Sequence, residues 1–307
     1  MVILIIGCAG FLGSGLARRI LRTSYADEVI GVDTLGAPYG EKLQKEHLRE
    51  LRKYPNFTFK KLDITDGYKL ERLFFDYSPQ VVVNLSGAVP RPEDAPDFDD
   101  YIETGLVGFY NVLEACRHAR KSVQRLVFAS VPLQNEEMPL TVLSAAKRAQ
   151  ENLAYAYAAQ FGLPCVAVRL GAVFGPGEPP GSFCTRYANA LRGEPVVGQF
   201  EENLRLSFID DAAKELEEAA LGPFDQIAPD GLRGVAYRVY NKTKAYTIKR
   251  PELERMLQAE LVAAGAVRPK KKGAAAAPAQ TKNTMPDLQK GLKNFAEWYR
   301  EFKGEQL

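Results

Sequence analysis

The chain has 307 residues, of which 46% are hydrophobic and 25% are charged; this composition is that of a globular protein with a sizeable core, and it excludes a disordered or fibrous chain. Forty basic and 38 acidic side chains leave a net charge of +2, so the charge gives no reason to expect nucleic acid or a bilayer surface as a partner. Four cysteines without CxxC spacing and only two histidines argue against a disulfide framework, a zinc site and a Ser-His-Asp triad, and they indicate a reducing compartment, either the cytoplasm or an organelle interior.

The first 17 residues are apolar, but they do not have the pattern of a signal peptide. Four glycines interrupt them, no basic segment precedes them, and Arg18 and Arg19 follow directly. They therefore predict a strand, a turn and a helix. We expect no targeting segment in this chain and no membrane span, because no other stretch reaches spanning length.

Short buried strands alternate with amphipathic helices through the first half of the chain. The predicted strands are 2–6, 28–32, 57–62, 81–85, 126–129 and 165–168, and the predicted helices are 12–21, 42–52, 68–75, 101–117 and 144–160. This alternation predicts an α/β fold with a Rossmann-like, doubly wound parallel sheet over residues 1–170.

After residue 170 the pattern changes, and we predict a smaller mixed α/β C-terminal substrate lobe over residues 171–307. A Gly- and Pro-rich loop precedes a helix near 183–191, a strand near 204–208 and a helix that opens at Asp210. Residues 267–281 have the composition of a linker. A terminal helix is predicted at 287–302, because Leu288, Leu292, Phe295 and Trp298 recur on one helical face.

Three glycines mark the junction of the first strand and the first helix. Gly7, Gly10 and Gly13 form a GxxGxxG, with Phe11 and Leu12 between the last two. The first glycine permits a tight turn, the second allows the backbone to approach a pyrophosphate, and the third allows close helix packing, while the helix N-terminus offers N–H groups to the anion. This context predicts a dinucleotide-binding loop.

Two acidic residues close the next strands. Asp33 ends the second strand twenty residues after Gly13, where its carboxylate can accept hydrogen bonds from ribose hydroxyls and repel a 2′-phosphate, so NAD is expected rather than NADP. Asp63 and Ile64 end the third strand, where they would border the adenine ring. A helix cap in the run DITD is an equally good interpretation of Asp63.

The motifs along nearly the whole chain together resemble the extended short-chain dehydrogenase/reductases and, within them, the UDP-glucuronate 4-epimerases. The runs that carry the resemblance are GCAGFLG (7–13), VDTLGAPYGEKLQKEHLREL (32–51), FKKLDITD (59–66), VVVNLSGAV (81–89), TGLVGFYNVLEACR (104–117), AAKRAQENLAYAYAAQFGLP (145–164), VRLGAVFGP (168–176), SFIDD (207–211) and GLKNFAEWY (291–299). Their order along the chain is highly specific for common ancestry.

The resemblance implies an NAD-dependent inversion at C4 of a UDP-sugar. In such enzymes a tyrosine is the general base, a Ser or Thr shares its hydrogen bond, and a lysine four residues after the tyrosine holds the nicotinamide ribose and lowers the pKa of the phenol. The lysine corresponds to Lys147. The resemblance also implies that Leu85, Ser86 and Gly87, at the end of the fourth strand, border the dinucleotide.

The chain departs from the family where the chemistry is performed. Leu143 stands at the tyrosine position, four residues before Lys147, and Val131 stands at the Ser/Thr position beside the retained Ser130. Gly105 aligns with a family asparagine near the nicotinamide, and Leu204 aligns with an arginine that grips the UDP phosphates. We therefore expect no intact catalytic set.

Three functions remain open at this point. The first is an NAD-binding, epimerase-like protein that has lost catalysis and acts as a structural or regulatory subunit, in a homodimer or a larger assembly. The second is an active UDP-glucuronate 4-epimerase, or a related UDP-sugar dehydratase, with a relocated base. The third is an RNA-binding relative. Only the net charge and the run Lys270–Lys272 favour it, and a solvated linker explains both.

Overall fold

The computed structural model describes residues 1–23, 26–36, 40–87, 98–132, 141–194, 202–226, 234–241, 244–268 and 286–304. They form two compact units. The first unit contains the described parts of residues 1–90, 95–170 and 210–243, and the second contains those of residues 171–209 and 244–307.

Strands and helices alternate through the first unit as the periodicity predicts. The strands of the described chain are β1 (Val2–Ile6), β2 (Glu28–Asp33), β3 (Phe57–Lys61), β4 (Val81–Asn84), β5 (Arg125–Ser130), β6 (Cys165–Arg169), β7 (Ala172–Phe174), β8 (Asn203–Phe208), β9 (Tyr237–Tyr240) and β10 (Tyr246–Lys249). The α-helices are α1 (Phe11–Thr23), α2 (Glu41–Leu51), α3 (Gly67–Tyr77), α4 (Asp99–Ile102), α5 (Phe109–His118), α6 (Val142–Phe161), α7 (Phe183–Leu191), α8 (Ile209–Leu221), α9 (Arg250–Ala263) and α10 (Pro286–Gly304).

The first unit is built on a seven-stranded sheet of order β3-β2-β1-β4-β5-β6-β9, in which every pair of neighbours is parallel. The predicted Rossmann-like sheet is therefore confirmed. The chain runs outward from β1 to β3 and then crosses back to β4, so the strand order reverses between β1 and β4. In open parallel sheets, ligands bind beyond the carboxyl ends of the strands at such a reversal.

The core of the first unit lies on both faces of this sheet. In β1, the side chains from Ile3 to Ile6 are at most 1% exposed, which explains the continuous apolar run, since strands covered on both faces need no polar alternation. Phe109 of α5 packs on Phe128 of β5, with ring centroids 4.9 Å apart.

The division of the chain differs from the predicted boundary at residue 170. The described parts of residues 210–243 return to the first unit, where β9 pairs with β6 at the edge of the large sheet. The sequence of β9, YRVY, alternates polar and apolar residues and is only partly buried, so it lacks the continuous apolar run by which the other parallel strands were recognised.

The second unit combines a three-stranded mixed sheet of order β10-β8-β7 with helices α7, α9 and α10. The predicted terminal helix is present as α10, in which Leu288, Leu292 and Phe295 are fully buried. Val267, predicted as the start of the linker, packs in this core, and residues 269–281 of the predicted linker lie outside the described residues.

The predicted helix 101–117 is interrupted. Residues Glu103–Gly108 form a π-helix between α4 and α5, a geometry that is rare and occurs often at functional sites. Among the described residues, no helix combines the length and the apolarity needed to cross a bilayer.

Candidate functional site

The glycine loop lies at the carboxyl end of β1, where the strand order reverses. Gly7 has a φ of +80°, and a Cβ there would lie 2.8 Å from the backbone of Leu85 and Ser86. A Cβ on Gly13 would overlap the carbonyl of Gly7. These two positions therefore require glycine for close backbone approach, and the predicted loop brings the ends of β1 and β4 together.

Asp33, at the carboxyl end of β2, holds this loop through its side chain. Its Oδ2 accepts a hydrogen bond from the N–H of Ala9 at 3.0 Å, and its Oδ1 accepts one from the N–H of Leu35 at 3.0 Å. Burial raises the pKa of the Asp33 carboxyl, and the backbone donors oppose that effect. The N–H groups of Thr34 and Gly10 also act on this carboxylate, so a ribose hydroxyl would share its acceptor sites with backbone donors.

The end of β4 forms the opposite wall of the loop. Asn84 Oδ1 accepts from the N–H of Ser86 at 3.1 Å and from its hydroxyl at 2.6 Å. Gly87 has a φ of +110°, and a Cβ there would lie 3.9 Å from Nζ of Lys147. Leu85, Ser86 and Gly87 therefore connect the glycine loop with the predicted lysine.

Asp63 and Ile64 follow the carboxyl end of β3. Asp63 Oδ1 accepts from the N–H and the hydroxyl of Thr65, at 2.9 and 2.8 Å, whereas the cap of α3 is Asp66, which accepts from the N–H of Lys69 at 3.1 Å. The cap in the run DITD therefore belongs to its last residue. Ile64 is buried, and a Cβ on Gly108 would lie 2.7 Å from its side chain.

Lys147 is buried on α6, and its ammonium is held by the protein itself. Nζ donates to the carbonyl of Ala129 at 3.0 Å and to Oε1 of Gln150 at 3.1 Å. The amide of Gln150 in turn donates to the carbonyl of Gly105, in the π-helix, at 2.5 Å. Burial lowers the pKa of Lys147 to about 8, although the charge of Glu151 opposes this shift.

The hydroxyl of Ser130 is engaged in a second buried network. It donates to Glu151 Oε1 at 2.6 Å, and Arg169 donates to both oxygens of Glu151 at 2.9 and 2.6 Å. Such a bidentate, charge-assisted pair is strong and rigid. Ser130 is thereby oriented towards Glu151.

The positions that would perform acid–base chemistry hold side chains without suitable groups. Leu143 lies in the first turn of α6, one turn before Lys147, and Val131 follows directly after β5. The nearby hydroxyl of Ser144 belongs to the capping box of α6: it donates to the carbonyl of Thr141 at 2.8 Å and accepts from the N–H of Thr141 at 3.0 Å.

The tyrosines farther along α6 are engaged elsewhere. Tyr157 donates to Glu114 of α5 at 2.5 Å. Burial raises the pKa of the Tyr157 phenol, and the hydrogen bond to Glu114 raises it further. Tyr155 packs edge-on against Tyr237 of β9, with ring centroids 5.7 Å apart. Neither replaces the phenol that is missing at position 143.

In the second unit, the candidate phosphate-binding position on β8 is apolar. Leu204 is buried in the core of that unit, and Arg205 is exposed on the opposite face of the strand. Arg205 therefore does not take the place of the family arginine by a shift of one residue, because neighbours on a strand face opposite ways.

The side chains next to Lys147 on α6 were not predicted from the sequence. Gln150 and Glu151 lie three and four residues after Lys147, which places them on the same helical face. This spacing from Lys147 is the feature of the sequence that could have identified both residues. No role in the site was predicted for His47 of α2 either. Its Nδ1 lies 2.8 Å from the carbonyl oxygen of Ala9 in the glycine loop.

Known proteins resemble this chain in sequence and in fold. Protein CapI of Staphylococcus aureus is 28% identical over 264 residues, which cover 78% of this chain and 78% of that protein. UDP-glucuronate 4-epimerase of Thermodesulfobacterium geofontis is 29% identical over 226 residues, 69% of each chain. The crystal structure of UDP-glucuronic acid 4-epimerase from Bacillus cereus in complex with NAD has the same fold, with a TM-score of 0.76, 22% identity and coverage of 98% of this chain and 99% of that one. The family model of the NAD-dependent epimerase/dehydratases matches residues 3–217, well over half of the sequence, and the chain therefore belongs to this family.

Proposed function

We propose that this protein binds NAD in its glycine loop, has lost sugar-nucleotide epimerisation, and serves as a structural or regulatory subunit. The observation that carries the proposal is the pair Leu143 and Lys147. The ribose-binding amine is retained and held in place by Ala129 and Gln150, whereas the position one turn before it holds a hydrocarbon that cannot move a proton.

The cofactor part of the proposal rests on the tight glycine loop that leads from β1 into α1. Side chains at Gly7 and Gly13 would collide with backbone atoms, and the N-terminal N–H groups of α1 suit a pyrophosphate. Asp33 would accept from the adenosine ribose, Lys147 would donate to the nicotinamide ribose, and Leu85, Ser86 and Gly87 would border the dinucleotide. In the family, bound NAD accepts and returns a hydride.

The proposed loss of catalysis follows from the side chains that are available for proton transfer. Losing a positioned general base costs about 10² to 10⁴ in rate. The hydroxyls of Ser130 and Ser144 donate within the protein to Glu151 and to the carbonyl of Thr141. The buried Leu204 at the family's arginine position argues in addition against a firm grip on UDP phosphates.

The subunit role is supported by an exposed apolar surface on the first unit. Ile102, Val107, Tyr110 and Val142 are large apolar residues with 45–51% exposure. They lie on the segments 99–118 and 142–161, the two helices by which family members pair. Ala146, Ala154 and Ala158 are buried within the chain itself, so only the exposed residues are available to a second copy or another subunit.

The test is product analysis on purified protein. Mass spectrometry of the purified sample should find NAD, and incubation with UDP-glucuronate should give no UDP-galacturonate. Conversion that disappears in the Lys147→Ala variant would support instead an active epimerase with a relocated base. If no NAD binds even when it is supplied in excess, the cofactor part of the proposal fails.

A further inference from the structure

Ala9, in the middle of the glycine loop, is held on both sides by side chains from other elements. Its N–H donates to Asp33 of β2 at 3.0 Å, and its carbonyl oxygen lies 2.8 Å from Nδ1 of His47 on α2. A carbonyl oxygen only accepts, so the hydrogen of this bond must reside on Nδ1. The contact therefore fixes the protonation of one ring nitrogen.

The contact determines the orientation of one peptide group. The Ala9–Gly10 peptide is held at its carbonyl by His47 and at its N–H by the carbonyl of Gly7, at 3.1 Å. The next bond along the chain, from the N–H of Ser14 to the carbonyl of Gly10 at 2.9 Å, is the first of α1. The N–H groups of residues 11–13 precede that bond, so their direction depends on this peptide.

The surroundings of His47 favour an uncharged imidazole. Leu43, Leu48 and Leu51 anchor α2 in the core, which leaves His47 partly buried against the loop. Burial lowers the pKa of His47 to about 4; the hydrogen bond to Ala9 opposes this shift, and the nearby guanidinium of Arg18 adds a smaller lowering effect. A neutral imidazole can hold the carbonyl, but it adds no positive charge to the anion site.

We propose that His47 is a positioning residue of the dinucleotide site: by donating from Nδ1 to the carbonyl of Ala9, it sets the Ala9–Gly10 peptide so that the start of α1 presents its N–H groups to a pyrophosphate. This inference rests on the proposed NAD binding. It assigns His47 an effect on every ligand that carries the adenosine pyrophosphate, whether or not a nicotinamide is attached.

Calorimetric titration with NAD and with ADP-ribose tests the effect on binding. His47→Leu removes the donor and should lower the affinity for both ligands about five- to tenfold, the loss expected for one net hydrogen bond. His47→Asn keeps a donor near the Nδ1 position and should recover most of the affinity. The matched control is His118→Leu, which alters the other histidine, half-exposed and paired with Glu71, and it should leave both affinities unchanged.

Nitrogen NMR on the wild-type protein gives a readout that does not depend on how the variants fold. The chain has only two histidines, so His118→Leu assigns both signals. The expected result is a neutral ring with hydrogen on Nδ1 for His47, whose signals move on NAD addition. A hydrogen on Nε2 alone, or equal affinities of the wild-type and His47→Leu proteins, overturns the inference by itself. Failure of the wild-type protein to bind either ligand would remove the proposed function and this inference together.

Discussion

At the residue scale, the ammonium of Lys147 is the polar group around which the candidate site is ordered. An ammonium has three donors, and the carbonyl of Ala129 and the amide of Gln150 engage two of them. The remaining donor can serve a ribose hydroxyl. Because Leu143 offers no phenol, binding is the role that the chemistry leaves to this lysine.

We predict that Lys147→Met weakens NAD binding about 10- to 100-fold, which corresponds to the loss of a charge-assisted hydrogen bond. In the wild-type protein, NAD affinity should fall as the pH rises through about 8, because the ammonium, whose pKa burial lowers to that value, then loses its proton. The Met variant should show no such dependence. Lys214→Met alters an exposed lysine of the same unit and should match the wild type; an unchanged affinity of Lys147→Met would contradict the assignment.

The same lysine should affect stability in alkaline solution. Its folded pKa lies below the ordinary value of 10.5, so the unfolded chain binds more protons between those two values. Stability from this group is therefore fully present above about 10.5, and it is lost as the pH falls towards 8. Urea unfolding of the wild type and Lys147→Met across this range should show the slope in the wild type alone.

Gln150→Leu should lower the free energy of unfolding by about 1 to 3 kcal/mol, because it removes one of the two acceptors of the buried Lys147 ammonium and the side-chain donor of the Gly105 carbonyl. Gln160→Leu is the matched control on the same helix, since residue 160 is exposed and surface changes stay within about 0.5 kcal/mol. Urea denaturation of both variants measures the difference. Equal stability of the two would show that Gln150 does not support the lysine.

At the element scale, helix ends are fixed by side chains that the periodicity does not reveal. The N-terminus of α6 has a capping box of Thr141 and Ser144, whereas α7 uses a residue outside the helix. Glu178, in the loop after β7, accepts from the N–H of Thr185 at 2.6 Å and from the N–H of Gly175 at 3.3 Å. This carboxyl is almost wholly buried in the second unit.

Burial raises the pKa of Glu178 from 4.5 to about 8, against the lowering effect of the backbone donors. The folded state therefore binds more protons between those values, so the stability from this group is present below about 4.5 and is lost as the pH rises through 8. Glu178→Gln stays neutral but loses one acceptor, so its thermal midpoint should lack the fall that the wild type shows as the pH rises through 8. Glu297→Gln, at an exposed position of α10, should show no such divergence from the wild type.

Features that depend on neighbouring residues could be predicted from the sequence, whereas features that depend on contacts between distant residues could not. Strands β1, β2, β4, β5 and β6 were predicted because burial on both faces leaves largely apolar runs, whereas β3 has the mixed sequence FTFKK and becomes exposed towards Lys61. Gly7, Gly13 and Asp33 were found from one strand–turn–helix motif. The π-helix at 103–108 was missed, because its register is fixed by packing and by the Gly105–Gln150 contact, 45 positions apart. His47 and Glu151 were missed for the same reason: their partners lie on other elements.

At the scale of the whole molecule, the subunit role that we propose rests on the exposed side chains of Ile102, Val107, Tyr110 and Val142, since exposed apolar patches mark interaction sites. Light scattering should find a dimer or larger species, and Val107→Glu combined with Tyr110→Glu should dissociate it into folded monomers, whose thermal midpoint no longer depends on protein concentration. Phe75→Glu, at an 85% exposed position on α3, is the control and should leave the mass unchanged. A wild-type protein that is monomeric at all concentrations and in its native extract would contradict the subunit role.

The most direct test of the central claim is a single half-reaction. Purified protein loaded with NAD is mixed with UDP-glucuronate, and the near-ultraviolet absorbance of bound NADH is followed, with an active UDP-glucuronate 4-epimerase measured in parallel. We predict that NAD stays oxidised, because no group at positions 143 or 131 can take the sugar hydroxyl proton. The appearance of bound NADH that requires both the sugar nucleotide and Lys147 would show that a base from elsewhere in the chain has replaced the missing phenol.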